Sequence, residues 1–123
     1  MSITADHTAS ILREPWEKVA DLNAVLGPTL VAVALRTTDR TAPTRWAKPG
    51  AGRMNDASFE RLTTAHQALT TVLGGGDDRW VARAWFVAAN PMLEDDSPVN
   101  AIHDALHREV LAAARAFARD AWS

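Results

Sequence analysis

Apolar residues recur at helical spacing along most of the chain. Between residues 14 and 26 they lie three or four positions apart, with Pro15 in the first turn and Gly27 in place to end the helix. The segment 56–73 has the same periodicity, with Asp56 or Ser58 as its expected N-cap. Its apolar face comprises Phe59, Leu62, Ala65, Leu69, Val72 and Leu73. No segment alternates apolar and polar residues as a strand does, so the pattern predicts an all-α fold.

Prolines and turn residues divide the rest of the chain into shorter helices. The apolar run 28–35 fits a short buried helix. A third helix is expected to begin between Asp39 and Thr41 and to extend to Lys48, because Pro43 is tolerated only in a first turn. Three further helices are expected: one that opens at Asp77 and Asp78, one from Pro98 to about Leu106, and one that carries Val110, Leu111, Ala114 and Phe117.

Three consecutive glycines give the clearest boundary in the pattern. Gly74, Gly75 and Gly76 follow the long helix and interrupt the helical periodicity. A chain of 123 residues forms one compact domain or two small helical lobes that share a core. We therefore expect two helical lobes, residues 1–76 and residues 77–123.

The composition excludes several classes of protein. Hydrophobic residues make up 47% of the chain and charged residues 23%, as in ordinary globular domains, and there is no cysteine. Disulfides, a thiolate nucleophile and cysteine-ligated metals are therefore excluded. No apolar stretch approaches the roughly 18 residues of a membrane span, and the N-terminus lacks a signal-peptide pattern. We expect a cytoplasmic protein that is not bound to a membrane.

Charge is unevenly distributed, although the net charge is only −2. Residues 36–53 contain five positive side chains and one negative, whereas residues 77–104 contain six negative and two positive. A turn followed by a short helix with hydroxyls and arginines is what a helix-turn-helix presents to the major groove, with a tryptophan, here Trp46, as its anchor in the core. A solvated basic face on a helical bundle is the alternative. The candidate DNA-contacting residues are Arg40, Thr41, Thr44, Arg45, Lys48 and Arg53.

Few residues suggest chemistry. His103 and His107 lie four positions apart, which on one helical face is the spacing of zinc ligands, although an exposed face with two titratable histidines is the stronger interpretation. His7 and His66 are isolated in the sequence. The sequence contains no nucleophile–base pair, no distinctive pair of carboxylates and no phosphate-binding loop. We expect neither an enzyme nor a protein with a metal or cofactor.

The second half of the chain resembles the toxin-binding domain of Xre-MbcA-ParS-type antitoxins. The resemblance runs from about residue 78 to residue 117 and rests on the order and spacing of its motif residues. Less sharply, the first half is similar to the helix-turn-helix that precedes this domain in the family. Three acids, residues 94–96, stand where the family has a glycine. The motif residues are Trp85, Asn90, Pro91, Leu93 and Pro98.

The resemblance implies an antitoxin of a type II toxin–antitoxin system. Its partner would be a toxin of the RES fold that consumes NAD, in a homodimer or a larger complex with that toxin. The antitoxin would block the active-site cleft of the toxin and bind operator DNA to regulate its own operon. A cleft that binds NAD attracts the diphosphate of NAD through arginines. Acidic groups on the antitoxin would therefore compete for the same cleft. The expected toxin contacts are Glu94, Asp95, Asp96, Arg115, Arg119 and Trp122.

A different class of function fits the same sequence. A stand-alone helix-turn-helix regulator, for instance a phage-type repressor, would use residues 77–123 as a dimerisation or effector module. The two hypotheses differ in whether a toxin is neutralised, so a neighbouring toxin gene favours the antitoxin.

Overall fold

A computed structural model of the chain describes residues 13–74 and 76–122, with only the backbone of residue 122. Within these residues the fold is all-α, as the pattern predicts, and has no strand. None of the described helices is both long and apolar enough to cross a membrane. The helices are α1 (Pro15–Leu26), α2 (Pro28–Ala34), α3 (Ala42–Trp46), α4 (Asp56–Leu73), α5 (Arg79–Val87), α6 (Pro98–His103) and α7 (His107–Trp122), with a 3-10 turn at Pro91–Leu93.

Short polar side chains and glycines set the helix ends. Helix α1 begins at a capping box in which Glu17 accepts a hydrogen bond from the backbone of Glu14 at 2.8 Å. Asn55, rather than the predicted Asp56 or Ser58, caps α4, and its side chain accepts from the amide of Ser58. Gly74 ends α4 in the left-handed conformation.

One hydrophobic core contains side chains from both halves of the chain. Helix α4 packs against α1 on one side and against α7 on another. Five helices from both halves each place a fully buried residue in one contiguous cluster: Leu22, Leu62, Phe86, Ile102 and Val110. The division into lobes at residue 76 stays a prediction.

Side chains from α4 and α5 satisfy carbonyls at the ends of three other helices. Arg83 donates to the carbonyl of Leu26 at 2.8 Å, which ends α1. The buried Arg61 donates through Nε to the carbonyl of His103 at 3.0 Å, which ends α6. Ser58 donates to the carbonyl that follows α2 at 3.0 Å. The bonds from Arg61 and Ser58 fix α6 and α2 against α4, and the bond from Arg83 fixes α5 against α1. Each is stabilising because unpaired helix carbonyls are costly when buried.

Two predicted helices are shorter than expected. Helix α3 has five residues, begins at Ala42 rather than at 39–41, and ends before Lys48. The carboxylate of Asp39 accepts from the amide of Thr41 at 2.9 Å, which holds the preceding turn outside the helix. Helix α6 ends at His103 rather than near Leu106, and the chain turns through Ala105 at φ 61°.

Candidate functional site

The three acids at 94–96 lie on a tight turn between the 3-10 turn and α6. The amide of Asp96 donates to the carbonyl of Leu93 at 3.1 Å and so closes a four-residue turn. Its two central residues, Glu94 and Asp95, have φ of 56° and 64°. This left-handed pair is typical of a hairpin turn that favours glycine or asparagine. Both side chains are exposed, so the turn presents two carboxylates to solvent.

The base of this acidic turn (residues 93–96) is firmly held. The amide of Asn90 donates to the carbonyl of Asp96, and the amide of Asp95 donates to the carbonyl of Asn90, both at 3.0 Å. The carboxylate of Asp96 accepts from the amide of Ser97 at 2.8 Å and from the side chain of Asn100 at 3.0 Å. Asp96 therefore stabilises the start of α6, and the outward charge of the turn comes from Glu94 and Asp95.

Three of the five motif residues are buried, and two of these, Leu93 and Pro98, lie at either end of the acidic turn. Leu93 and Trp85 are buried, and Pro98 is fully buried at the first position of α6. The ring of Trp85 meets that of Phe86 edge-on, with centroids 4.9 Å apart. The indole N–H of Trp85 is buried without a hydrogen-bond partner among the described residues. Asn90 and Pro91 open the 3-10 turn, where the Asn90 side chain accepts from the amide of Met92 at 2.9 Å.

The predicted C-terminal contacts lie on α7, which packs against the 3-10 turn that leads into the acidic turn. Arg115 is half-buried and Arg119 is exposed. The side chain of Trp122 lies outside the described part of the structure. The acidic turn and α7 therefore belong to the same packed region of the molecule.

The basic segment is exposed but short. Arg45 donates to the carboxylate of Asp39 at 3.0 Å and to the hydroxyl of Thr41 at 2.7 Å. Hydrogen bonds from Thr41 and then from Arg45 lower the pKa of Asp39 to about 2. Trp46 is half-buried against the core, as expected of an anchor. All six predicted DNA contacts are exposed: Arg40, Thr41, Thr44, Arg45, Lys48 and Arg53.

A pocket of about 470 Å³ adjoins the basic segment. Its walls are the aromatic side chains of Trp16, Trp46 and Phe59, and Arg53 and Asp56 lie at the same pocket. Phe59, which the periodicity places on the buried face of α4, is 43% exposed here. The sequence pattern does not reveal this opening, because the loop 47–55 that forms one wall has no periodicity.

The structure corrects the expectation that His103 and His107 share a helical face. His103 ends α6 and His107 begins α7, with a left-handed residue between them. His103 contacts Asp104 at 3.0 Å, whereas His107 contacts the hydroxyl of Thr64 at 2.6 Å. No group of three metal-ligating side chains occurs among the described residues. The two histidines therefore do not lie four positions apart on one helix, as the zinc prediction requires.

His66, which is isolated in the sequence, belongs to a polar network between α1 and α4. Its Nε2 lies 2.8 Å from a carboxylate oxygen of Asp21, and Arg13 donates to the same carboxylate at 2.9 and 3.1 Å. Burial favours the acid form of Asp21, but the bonds from Arg13 and His66 outweigh it and lower the pKa of Asp21. The one available signal was the place of His66 in the apolar repeat of α4, between Leu62 and Leu69. His7 lies outside the described residues.

Comparison of the chain with protein-family models, with curated proteins and with solved structures gave no match.

Proposed function

We propose that the chain is an antitoxin that neutralises a RES-fold, NAD-consuming toxin by placing the acidic turn in the active-site cleft of that toxin. The observation that carries this proposal is the rigid display of Glu94 and Asp95. Two carboxylates project from a turn that three backbone hydrogen bonds and two buried residues hold in place. A ligand that is already ordered loses less entropy on binding, so such a turn suits competition with a diphosphate.

The resemblance to Xre-MbcA-ParS-type antitoxins supports the same function. Four of its motif residues lie in the segment 90–98 that contains the acidic turn. The burial of Trp85, Leu93 and Pro98 agrees with a role in shaping the interface from behind. The family has a glycine in the loop where this chain has residues 94–96. Glycine favours the left-handed backbone that Glu94 and Asp95 adopt here, so the two loops are compatible.

Operator binding is a second part of the proposal, and the exposed basic segment supports it. Helix α3 is about 7 Å long, which is short for a helix that reads bases. Arg45 is already paired with Asp39 at 3.0 Å. We therefore assign these side chains to phosphate contacts, whose affinity falls steeply as salt rises. Anisotropy titrations of DNA from upstream of the gene at 50 and 200 mM salt measure this dependence, and Arg40→Ala is expected to weaken binding. Salt-independent binding contradicts the assignment, and DNA binding without any effect on a toxin favours the stand-alone regulator.

Co-expression tests the antitoxin function. The chain is produced together with the product of the adjacent gene, which the proposal expects to be a RES-fold toxin, and growth and cellular NAD are followed. The wild-type chain is expected to restore growth, preserve NAD and co-purify with the toxin. The double variant Glu94→Gln/Asp95→Asn is expected to lose this rescue.

A matched control separates the position of the charges from their number. Glu60→Gln/Glu109→Gln removes two exposed acids from α4 and α7 and leaves the acidic turn intact. Rescue by this control, together with failure of the turn variant, supports the proposal. If the turn variant rescues as well as the wild type, the assignment of the acidic turn is wrong, and if the wild type neither rescues nor binds, the antitoxin function is wrong.

A further inference from the structure

Helix α5 has an exposed face without a polar side chain. At about 100° per residue, Trp80, Val81, Ala84 and Val87 fall within an arc of roughly 120°. All four are exposed, whereas Phe86 on the opposite side is fully buried. A surface helix ordinarily carries charged or polar residues on its outer face, and a helix that is apolar all round is ordinarily covered. We call these four residues the α5 stripe.

Trp80 dominates the α5 stripe. It is 81% exposed, the largest value among the large hydrophobic residues of the described chain, and Val87 is 44% exposed. Trp80 lies in the first turn of α5. There the side chain of Asp78 accepts hydrogen bonds from the amides of residues 80 and 81. The cap fixes the backbone of Trp80, while the ring contributes little to the core. An exposed tryptophan on a rigid helix is typical of a residue that anchors a protein interface.

The α5 stripe and the acidic turn are near each other along the chain. The stripe is about 10 Å long from Trp80 to Val87. Only Ala88 and Ala89 lie between Val87 and Asn90, so the Cα atoms of Val87 and Asn90 are at most about 11 Å apart. The amide of Asn90 donates to Asp96 at the base of the acidic turn. One partner of ordinary size therefore reaches both features.

We infer that the α5 stripe is the apolar half of the toxin interface and that it docks an apolar surface of the toxin rimmed by lysine or arginine. This inference rests on the proposed function and assigns a further surface to it. The charge around the stripe favours a basic partner, because Asp77 and Asp78 lie at one end and the acidic turn lies beyond the other. Arg79 and Arg83 offset part of this charge, but residues 77–96 still hold five acids against two arginines. Opposite charges on a partner strengthen association and align it.

A second copy of the chain fits the α5 stripe less well. In a two-fold dimer the same patch meets itself. In an antiparallel pair of α5 helices, Asp77 and Asp78 of one copy would therefore lie beside the acidic turn of the other, and like charges would repel. The stripe is also narrow, whereas a stable interface buries about 800 Å² on each partner. A toxin that covers the stripe and the acidic turn together avoids this repulsion between acids and contacts a larger area than the stripe alone.

Titration calorimetry with the full chain and a purified, catalytically inactive RES-fold toxin tests the inference. Trp80→Ala is expected to weaken binding about tenfold or more. Val87→Ser is expected to weaken it less. The controls are Phe59→Ala, which truncates an aromatic residue that is 43% exposed on α4, and Val33→Ser on α2, where the valine is 39% exposed and so close to Val87 at 44%. The controls are expected to bind as tightly as the wild type. Circular dichroism melts confirm that each variant is folded.

The outcomes separate this inference from the proposed function. If the wild type does not bind the toxin, the proposed function fails and the inference fails with it. If the wild type binds and the stripe variants bind equally well, only the inference is overturned. Light scattering of the chain alone measures whether it forms a dimer. If the wild type is a dimer and Trp80→Ala is a monomer, a second copy covers the stripe, and the inference is overturned.

Discussion

The buried imidazole of His66 is expected to make the fold less stable in mildly acidic solution. It is 1% exposed on α4, and its Nε2 lies 2.8 Å from Asp21 on α1. Burial lowers the pKa of His66 below its ordinary value of 6.5, and the cations Lys18 and Arg13 lower it further, against the attraction of Asp21. At neutral pH the imidazole is therefore uncharged and donates to the carboxylate.

The sign and size of the effect follow from proton binding. In the unfolded chain the group titrates near 6.5, and in the folded chain it titrates lower. Between the two values the unfolded state binds more protons, so the free energy of unfolding falls as the pH falls. One proton gives a slope of at most about 1.4 kcal/mol per pH unit, which vanishes below the folded pKa. Asp21 also has a lowered pKa, so its contribution is present above 3.8 and is lost only in stronger acid.

Urea denaturation at pH 7.5, 6.5 and 5.5 measures this slope in the wild type and in His66→Gln. The wild type is expected to lose stability below pH 6.5, and the variant is expected to lose less over the same range. His103 and His107 are present in both proteins, so the difference isolates His66. The other charged groups at the 230 Å³ cleft beside His66 are Asp77 and Arg79, and the variant leaves them unchanged. Equal slopes in the two proteins, or a wild-type stability that is constant down to pH 5.5, would refute the reasoning.

Five other substitutions test the structure through thermal or urea denaturation. Glu94→Gly and Asp95→Gly each relieve a left-handed backbone and are expected to stabilise the chain by up to about 1 kcal/mol, so a loss of stability contradicts the turn geometry. Phe86→Ala is expected to cost about 3–5 kcal/mol and Trp80→Ala no more than about 1 kcal/mol, and similar losses would show that the α5 stripe is buried. Arg61→Ala removes two hydrogen bonds to helix carbonyls and is expected to cost about 1–3 kcal/mol, whereas an unchanged midpoint contradicts the capping role.

Several helix boundaries were predictable because their signals are local. Pro15 and Gly27 bound α1, and α6 begins at Ser97 and Pro98 as the sequence predicts. The end of α6 was not predictable, because a buried arginine from α4 takes the carbonyl of His103. A contact between residues 42 positions apart leaves no trace in local spacing.

The candidate site was predictable only in part. The acids at 94–96 were identified from the sequence, but the inward role of Asp96 depends on its bond to the Asn100 side chain. Trp80 and Trp85 lie five residues apart on one helix, and the sequence does not say which of them faces the core. The packing of α5 against α1, α4 and α6 decides this, with Trp85 buried and Trp80 exposed. Which face of α5 is left exposed therefore depends on tertiary packing and cannot be read from local spacing.

The most direct test of the account is an NAD-hydrolysis assay of the purified RES-fold toxin with increasing amounts of the chain. The account predicts that activity is lost near one chain per toxin active site. It also predicts that Glu94→Gln/Asp95→Asn shifts this titration to a large excess, whereas Glu60→Gln/Glu109→Gln does not. Full toxin activity in the presence of excess wild-type chain would contradict the central claim.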